Sequence, residues 1–462
     1  MNRTKRTPWS LASCLGLGLV ACLETVLGAP AVEVQGVVPG NLPPAATATV
    51  VVPIPAETAG RGSLRGRIEV GGRPAGEVVL QAEPADAASG TPERAWFQWT
   101  PTRDQLGQPI VLRIAPRPPT GSARAYRVRY ADPNVEVATA DGGPVLAYRH
   151  GAPDPSFKYP MTSYLHPLVG LDGEILTDCT PSDHLHHRGL FWAWVRIQRG
   201  EDIIAETWVP RNLVLEAGDL KTATGPVFAR FAARHYYVYR PESGASQPAS
   251  VAAGTPAAGG AAGLSRREAG ERLFDEWVVC RVFPVTDGGR AIDVELTLTA
   301  LQDGLKIGGQ TQSNKGYGGL TLRFSTEQQG KAIEPRIVAD GKAIQRDLNH
   351  VVARWIDWTG IFNGPDGKRL GHRSGAAVLV HPSHPPMPGS PPGGPASPPE
   401  WITRFYGPIN VAYPGLEMLA MPRGKPLHLR YRLWVHRGDT ATADVDGRYR
   451  GYAADWKWTG VN

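Results

Sequence analysis

The chain has 462 residues, a formal net charge of +6 and 42% hydrophobic residues. This length is enough for two or three domains with cores of their own. Its lysines and arginines do not form a stripe with interleaved aromatic residues, so nucleic acid is not an expected partner. After the N-terminus, no segment has the length of apolar sequence that crosses a membrane.

The N-terminus has the pattern of a secretory signal peptide over residues 1–29. Its basic residues are Arg3, Lys5 and Arg6. Residues 11–20 are apolar but too few to span a bilayer. Two kinds of processing are open: a lipoprotein-type site that would acylate Cys22, and ordinary cleavage near Ala29. We therefore expect an exported protein of the periplasm or outer cell envelope, attached to a membrane only if Cys22 is acylated.

Short β-strands are predicted for most of the remaining chain. Runs of branched and aromatic residues recur between turn residues, and 54 glycines and 43 prolines favour turns over helices. In Ile292–Leu298 apolar and polar residues alternate strictly. This alternation predicts a strand with one face on a core and the other in solvent. The sequence therefore predicts an all-β protein.

Composition divides the chain into five segments after the leader. Residues 30–62 are rich in proline and alanine, which is typical of a linker. A small N-terminal β-domain is predicted over 63–142, and a large antiparallel β-domain over 143–440, with the boundary at two consecutive glycines. Inside the large domain, residues 241–270 have too few large apolar groups to fold and are expected to be disordered. Residues 382–399 form a proline-rich loop.

Two cysteines remain in the body of the protein if processing occurs at Cys22 or later. They are Cys179 and Cys280. In an oxidising compartment they could form one disulfide, and the alternative is two buried thiols.

The densest group of candidate functional residues is the segment from Asp183 to Arg188. If it is extended, His184 and His186 project to one face and His187 to the other. Two imidazoles on one face can act as general acid and base, or as two ligands of a metal. Asp183 could orient an imidazole, and Arg188 could bind a carboxylate or a sugar hydroxyl. The alternative is a solvated loop or a structural histidine network.

Further candidates lie at predicted strand ends, where β-scaffolds present functional groups. His166 stands beside a proline, and His381 follows a predicted strand. Arg404 and Tyr406 occur together in a later loop, and we expect them, with His381, to contact the substrate. His166 alone could equally be structural.

Three other segments each have two interpretations. Lys315 and Tyr317 lie in a glycine-rich approach to a strand, which is either an anion or sugar contact or a tight turn. Trp192 is either a stacking platform for a sugar or a core residue. Asp357 lies between two tryptophans and is either a catalytic acid or base or a turn residue.

The histidine segment, with Tyr164–Leu168 and Asp178 before it, resembles the PmoA-like family, also labelled "methane oxygenase PmoA", whose activity is not settled. Later landmarks in the same order are Lys315 with Tyr317–Leu320, Trp355 with Asp357, His381 with Pro382, and Arg404 with Tyr406 and Gly407. The resemblance covers Val70–Gly438, apart from the insertion and the proline-rich loop. It implies an envelope protein found beside carbohydrate-handling enzymes, with a β-sandwich similar to that of galactose mutarotase.

These residues together predict an enzyme that acts on a small carbohydrate or glycoside without a cofactor, as an epimerase, lyase or hydrolase. His184 or His186 would be the base, His166 the partner acid and Asp357 a further catalytic group. One alternative is a metal-dependent enzyme, with a divalent transition metal held by His184, His186 and His166. The other is a sugar-binding envelope protein without catalysis. In each case the site residues should line one cavity at the end of the large sandwich.

Overall fold

The structure is a computed structural model. It describes residues 32–59, 63–85, 93–116, 124–241, 269–326, 331–390 and 398–461. The expected signal peptide with Cys22, and all of the expected insertion except residues 241, 269 and 270, lie outside these ranges. So do residues 391–397 of the proline-rich loop. Within the described ranges, no helix is long and apolar enough to cross a membrane.

An antiparallel sheet forms the N-terminal part of the described chain. Its elements are β1 (Val32–Val37), β2 (Ala48–Pro53), α1 (Ala56–Ala59), β3 (Ser63–Val70), β4 (Arg73–Glu83), β5 (Arg94–Trp99) and β6 (Pro109–Pro116). In β2 alternate residues are buried, and Val50 and Val52 are fully shielded from solvent. The linker expected over residues 30–62 is therefore wrong for residues 32–59, because alternating apolar side chains there pack into a core.

The other elements follow in chain order. The first group is β7 (Tyr126–Ala131), β8 (Asn134–Thr139), β9 (Pro144–Arg149), β10 (Tyr164–Leu168), β11 (Leu190–Trp194), β12 (Arg196–Arg199), β13 (Asp202–Ala205), β14 (Leu213–Thr224), β15 (Ala229–Tyr239), β16 (Arg272–Thr286) and β17 (Gly289–Ala300). The second group is β18 (Leu305–Gly308), β19 (Gly318–Arg323), β20 (Ile333–Ala339), β21 (Lys342–Ile344), β22 (Leu348–Val352), β23 (Trp355–Ile361), β24 (Ser374–Val380), β25 (Glu400–Thr403), β26 (Pro408–Val411), β27 (Met418–Met421), β28 (Pro426–Arg437), α2 (Val445–Tyr452) and β29 (Lys457–Val461). Short 3-10 turns occupy Arg103–Gln105 and Gln312–Asn314.

Two nine-stranded antiparallel sheets pack face to face as a sandwich. We call the first the site sheet, with the order β22-β25-β26-β19-β11-β10-β9-β8-β7, and the second the back sheet, with the order β14-β15-β16-β17-β28-β24-β23-β20-β21. A four-stranded sheet, β13-β12-β18-β27, completes the large domain. The expected all-β fold with a large antiparallel sandwich is confirmed.

The expected domain boundaries need two corrections. Gly142 and Gly143 form the hairpin between β8 and β9, where the Thr139 amide donates to the Gly143 carbonyl at 2.8 Å. Because two glycines suit a tight hairpin as well as a linker, β7 and β8 belong to the site sheet and not to the N-terminal domain. The second correction concerns the expected end of the large domain at residue 440. Two elements, α2 and β29, follow that residue, and β29 joins the N-terminal sheet, whose order is β2-β5-β4-β3-β6-β1-β29.

The pleat of β11 places alternate residues on the inner and the outer face of the site sheet. Leu190, Trp192 and Trp194 face the core between the two large sheets, whereas Phe191 and Ala193 lie on the outer face of the site sheet. The Trp192 indole is 5% exposed and donates to a buried carboxylate, Glu276 Oε2, at 2.7 Å. Of the two interpretations of Trp192, the core residue describes this structure, because its side chain points into the space between the two large sheets.

The outer face of the back sheet is covered by the N-terminal sheet and by α2. Asp293 and Glu295 of β17 were expected in solvent, but Arg432 Nε lies 2.5 Å from Asp293 Oδ1 and Arg281 lies 3.0 Å from Glu295. Arg281 also contacts Glu83 of β4 at 2.7 Å. The polar face of β17 is thus an ionic interface, since charged groups can be buried when they are paired.

Both cysteines of the body are free thiols. Cys280 lies in the core between the two large sheets. Cys179 packs against the apolar group on the outer face of the site sheet. The two cysteines therefore lie on different sides of the site sheet. Of the two possibilities left open by the sequence, a disulfide or two thiols, the structure has two thiols.

Candidate functional site

A double turn carries the histidine segment, where an extended strand was assumed from the sequence. The His184 amide donates to the Pro181 carbonyl at 3.0 Å, and the His187 amide donates to the His184 carbonyl at 2.9 Å. Two successive turns do not force neighbouring side chains onto opposite faces as a strand does. The expectation that His187 points away from His184 and His186 is therefore wrong.

Three imidazoles meet on the outer face of the site sheet, and we call His184, His186 and His187 the histidine cluster. The rings of His184 and His187 are stacked with their centroids 4.6 Å apart. The ring of His186 is 4.6 Å from that of His187 and 5.7 Å from that of His184. His187 is buried against Phe191 of β11, whereas His184 and His186 are half-buried. The two half-buried imidazoles can meet a ligand.

Backbone hydrogen bonds hold the double turn on the sheet. The Asp178 amide donates to the Arg323 carbonyl at 3.1 Å, and the Gly189 amide donates to the Asp178 carbonyl at 2.7 Å. Gly189 has a φ of +59°, and a Cβ there would lie 2.2 Å from the Leu165 carbonyl oxygen. Only glycine permits this approach of the chain to β10, so Gly189 determines where the histidine cluster lies.

Tyr406 lies against the histidine cluster. Its ring is parallel to that of His184, with centroids 4.9 Å apart. The Thr326 hydroxyl donates to the Tyr406 carbonyl at 2.7 Å, and the Gly407 amide closes the turn by donating to the Arg404 carbonyl at 3.1 Å. These bonds fix the turn before β26, so that Tyr406 joins the group in which the sequence placed it.

An ion pair lies beside the histidine cluster. Arg323 of β19 is 1% exposed and donates to both carboxylate oxygens of Asp183, at 3.0 and 3.1 Å. Asp183 Oδ2 is also 3.0 Å from His184 Nδ1. Burial acts to raise the pKa of Asp183, but the contacts with His184 and Arg323 outweigh it and lower this pKa. Asp183 is therefore a carboxylate at neutral pH.

Burial keeps two imidazoles of the cluster neutral at pH 7. Burial, with the nearby His184 and Arg188, lowers the pKa of His186 to about 4. Burial and the neighbouring imidazoles lower the pKa of His187 well below its usual value. A neutral imidazole can accept a proton or bind a metal. Of these two histidines, His186 is the one that solvent reaches.

Aromatic side chains form a wall next to the cluster. The Trp208 ring lies 6.0 Å from that of His186 and 5.3 Å from that of Tyr317. The Arg404 guanidinium lies 5.6 Å from the centroid of the Tyr317 ring and donates to Asn349 Oδ1 at 2.6 Å. Burial, with a hydrogen bond to Tyr406, raises the pKa of Tyr317. Tyr317 and Arg404 thus lie next to the histidine cluster, and their contact with a substrate stays a prediction.

The loop that carries Lys315 borders this wall. Lys315 ends the 3-10 turn Gln312–Asn314. Asn314 and His350 both have positive φ, 52° and 56°, and His350 Nε2 donates to the Asn314 carbonyl at 2.7 Å. Such backbone strain occurs at functional sites. A contact between Lys315 and a ligand stays a prediction.

His166 and Arg188 lie beside the cluster and not in it. His166 lines a separate cavity of about 360 Å³, and its Nδ1 is 3.0 Å from Thr177 Oγ1. Burial lowers the pKa of His166 to about 4. Arg188 is 2% exposed and donates to the Tyr159 carbonyl at 2.8 Å. The Tyr159 ring is in turn 6.4 Å from that of His186, so the cavity and the cluster are neighbours.

Asp357 and His381 lie on the back sheet, on the other side of the sandwich. Asp357 is 1% exposed and accepts hydrogen bonds from His436 Nε2 at 3.1 Å and from Thr440 Oγ1 at 2.6 Å. The His381 ring meets that of Tyr452 in α2 at 5.0 Å. The structure therefore does not bring Asp357 and His381 together with the histidine cluster, and the expected convergence is wrong for these two residues. The cluster also lies on an outer sheet face and not at the end of the sandwich.

The metal-ligand set of the alternative hypothesis is not assembled. His166 lies at the neighbouring cavity, while His184 and His186 belong to the cluster. In the described residues, no group of three or more His, Cys, Asp or Glu side chains is placed to hold a metal ion. The metal-dependent enzyme remains an alternative, but the described residues do not form a metal-binding centre in advance.

Sequence reasoning missed two residues of the site. Arg323 has a local signal, because alternation along β19 places it on the same face as Thr321, opposite Leu320 and Leu322. Trp208 follows β13 in a turn, and no local pattern indicates that it meets His186. Its position depends on how the four-stranded sheet packs beside the site sheet.

Comparison with known proteins gives a family for the large domain. The model of DUF6807, described as a family of unknown function, matches residues 135–450. This range contains the histidine cluster, its aromatic wall and the neighbouring cavity except Asn134. No curated protein matches the chain.

Proposed function

We propose that this chain, which belongs to the DUF6807 family, acts on a small carbohydrate or glycoside by acid–base chemistry at the histidine cluster. The proposal depends on one observation: the neutral, half-buried imidazole of His186 contacts two further imidazoles. A neutral imidazole can remove a proton from a hydroxyl or an activated carbon, and a neighbouring imidazole can return one. Asp183 Oδ2 lies 3.0 Å from His184 Nδ1 and orients the imidazole of His184.

The surroundings of the cluster suit a sugar. The half-buried ring of Tyr317 offers aromatic surface to the C–H face of a sugar ring, and the half-buried Tyr406, stacked on His184, adds apolar surface at its edge. Trp208 is buried and packs against Tyr317. Asp183 and the two half-buried histidines, His184 and His186, offer the donors and acceptors that hydroxyl groups need. Ligand sites of this kind combine apolar walls with a few placed polar groups.

The buried guanidinium of Arg404 would favour negative charge at the site. Arg404 donates to neutral acceptors, Asn349 Oδ1 and the Leu348 and Thr403 carbonyls. Its charge is therefore not cancelled by these partners. A fixed positive charge stabilises the negative charge that develops on a sugar oxygen when a proton is removed. This supports proton abstraction as the step that the site performs.

A sugar-binding protein without catalysis is the second candidate. It is favoured by the pKa of about 4 at His186, because a general base works best when its pKa is near the working pH. Export to the cell envelope is part of both proposals and depends on the sequence of residues 1–29.

Turnover can be tested by 1H NMR in D2O with a panel of aldoses, uronic acids and their methyl glycosides. We expect at least one compound to exchange a C–H hydrogen for deuterium or to give product signals. His186→Asn should slow this reaction by about 100-fold or more, and Arg127→Gln, an exposed change on β7, should not. Binding without turnover would replace catalysis by sugar binding. If the protein neither binds nor converts any compound of the panel, the proposal is contradicted.

A further inference from the structure

The cavity beside the histidine cluster is large enough for a ligand group. Its volume of about 360 Å³ falls within the range of small-molecule sites, about 300–1,000 Å³. Its walls include Arg149, Tyr164, His166, Asp178 and Cys179. The histidine cluster does not use any of these side chains.

A row of paired residues connects this cavity to the cluster across the outer face of the site sheet. Asn134 pairs with Arg149, Arg149 with Tyr164, and Tyr164 with Phe191. The first three line the cavity, and the Phe191 ring packs 5.8 Å from that of His187. A ligand of the cavity would therefore lie next to a ligand of the histidine cluster.

Two cations act on the same cavity wall. Arg149 and Arg188 both lower the pKa values of Tyr164 and Cys179, against the dominant effect of burial, which raises them. Arg149 Nε donates to the Ala152 carbonyl at 2.8 Å. Arg188 donates to a carbonyl as well, and its buried Nε has no hydrogen-bond partner among the described residues.

Positive charge exceeds negative charge when the wall is taken together with Arg188 behind it. Burial lowers the pKa of Arg188 to about 10, opposed by Cys179 and Tyr164 and not by a carboxylate. Asp178 is the carboxylate of the cavity wall, and its oxygens accept bonds from the Ser325 hydroxyl at 3.0 Å and the Thr326 amide at 3.1 Å. Arg149 and Asp178 of the wall balance each other, so Arg188 behind the wall leaves one positive charge. A buried cation without a counter-ion is costly, so a monovalent anion would stabilise it.

We infer that the cavity binds the carboxylate of an acidic sugar whose ring lies at the histidine cluster. This inference rests on the proposed function and names its substrate class as uronic acids or their glycosides. Arg149 would bind the carboxylate directly, because a guanidinium fork matches a carboxylate in shape and charge. Arg188 acts from behind the wall through its charge. A single excess charge balances a carboxylate, whereas a phosphate dianion would leave a buried negative charge.

Calorimetric titration of glucuronate, glucose and glucose 6-phosphate into the wild-type protein tests the substrate class. We expect glucuronate to bind at least tenfold more tightly than the other two. Arg149→Gln should remove this preference and leave glucose binding unchanged, while Arg127→Gln on β7 should keep it. Equal affinities for glucuronate and glucose, or a preference for glucose 6-phosphate, would overturn the inference. Glucose binding is measured separately. If glucose binds but glucuronate is not preferred, the inference is overturned and the proposed function is left standing.

Cys179 gives a second readout that needs no sugar. It lines the cavity, whereas Cys280 is fully buried in the core. Acetate should slow alkylation of Cys179 by N-ethylmaleimide, followed by peptide mass spectrometry, in the wild-type protein and not in Arg149→Gln. Equal protection in both proteins would overturn the inference, even if sugars do not bind.

Discussion

The imidazole of His184 lies parallel to the phenol ring of Tyr406, with 4.9 Å between centroids and 5° between planes. This contact joins two loops that are far apart in sequence, the double turn before β11 and the turn before β26. It restricts the orientation of His184 and leaves the edge of its ring available to a ligand.

The first prediction concerns this stack. Tyr406→Ala removes it, and Tyr406→Phe keeps it while removing the hydroxyl that interacts with Tyr317. An aromatic pair contributes about 0.5–1.5 kcal/mol, so we expect Tyr406→Ala to weaken sugar binding by up to about tenfold and Tyr406→Phe by less. Calorimetric titration measures both. An equal loss in the two variants would mean that the hydroxyl, and not the stack, matters.

The second prediction is that stability falls between pH 7 and pH 5. Burial lowers the pKa values of five histidines to about 4 or about 3: His166, His186, His235, His381 and His384. The unfolded chain binds protons at these groups below its pKa of about 6.5, and the folded protein does not. The free energy of unfolding therefore decreases as pH falls, by up to about 1.4 kcal/mol per pH unit for each such histidine. Urea denaturation at pH 7 and pH 5 measures this decrease in the free energy of unfolding, and an unchanged midpoint would contradict the prediction.

The third prediction concerns the pair of His436 and Asp357. Burial acts to lower the pKa of His436, but the Asp357 carboxylate outweighs it and raises this pKa. The pair therefore stabilises the fold fully below pH of about 6.5, and this contribution is lost as pH rises through the raised pKa of the folded state. Asp357→Asn should lower the free energy of unfolding at pH 6 by about 3–5 kcal/mol. A cost that grows towards pH 9 would refute this assignment.

The fourth prediction concerns the interface between the N-terminal sheet and the sandwich. Glu83 contacts Arg94, Arg230 and Arg281 at 2.9, 2.6 and 2.7 Å and is 3% exposed. Glu83→Gln leaves these cations without their shared carboxylate, at a cost of about 3–5 kcal/mol. Glu77→Gln, on the same strand, is the control, because its pair with Arg67 is exposed and contributes less than about 1 kcal/mol. Similar costs in the two variants would show that the ionic interface does not stabilise the protein.

The sequence predicted the local structure better than the assembly. Alternation in β17 and β28 and the turn residues between strands indicated an all-β protein, since the period of a strand depends on nearest neighbours. The same alternation could not show that the N-terminal sheet covers the polar face of β17. Burial of Asp293 requires a partner, Arg432, on another strand.

The site was predicted in part for the same reason. His184, His186, Asp183, Tyr317, Arg404 and Tyr406 converge because their loops all lie on the site sheet. Asp357 and His381 have equally suggestive local sequences, but Asp357 lies in β23 and His381 follows β24, and both strands belong to the back sheet. A local pattern shows which residues lie at strand ends or on one face, and it does not show which sheet they join.

The most direct test compares the turnover of His186→Asn with that of Asp357→Asn. Both residues are catalytic candidates from the sequence, and the structure places only His186 at the cluster. With a sugar that the wild-type protein converts, both variants are assayed by 1H NMR at a temperature at which circular dichroism shows them folded. We expect a loss of about 100-fold or more in His186→Asn and near wild-type turnover in Asp357→Asn. Full activity in His186→Asn, or loss in Asp357→Asn alone, would contradict this expectation.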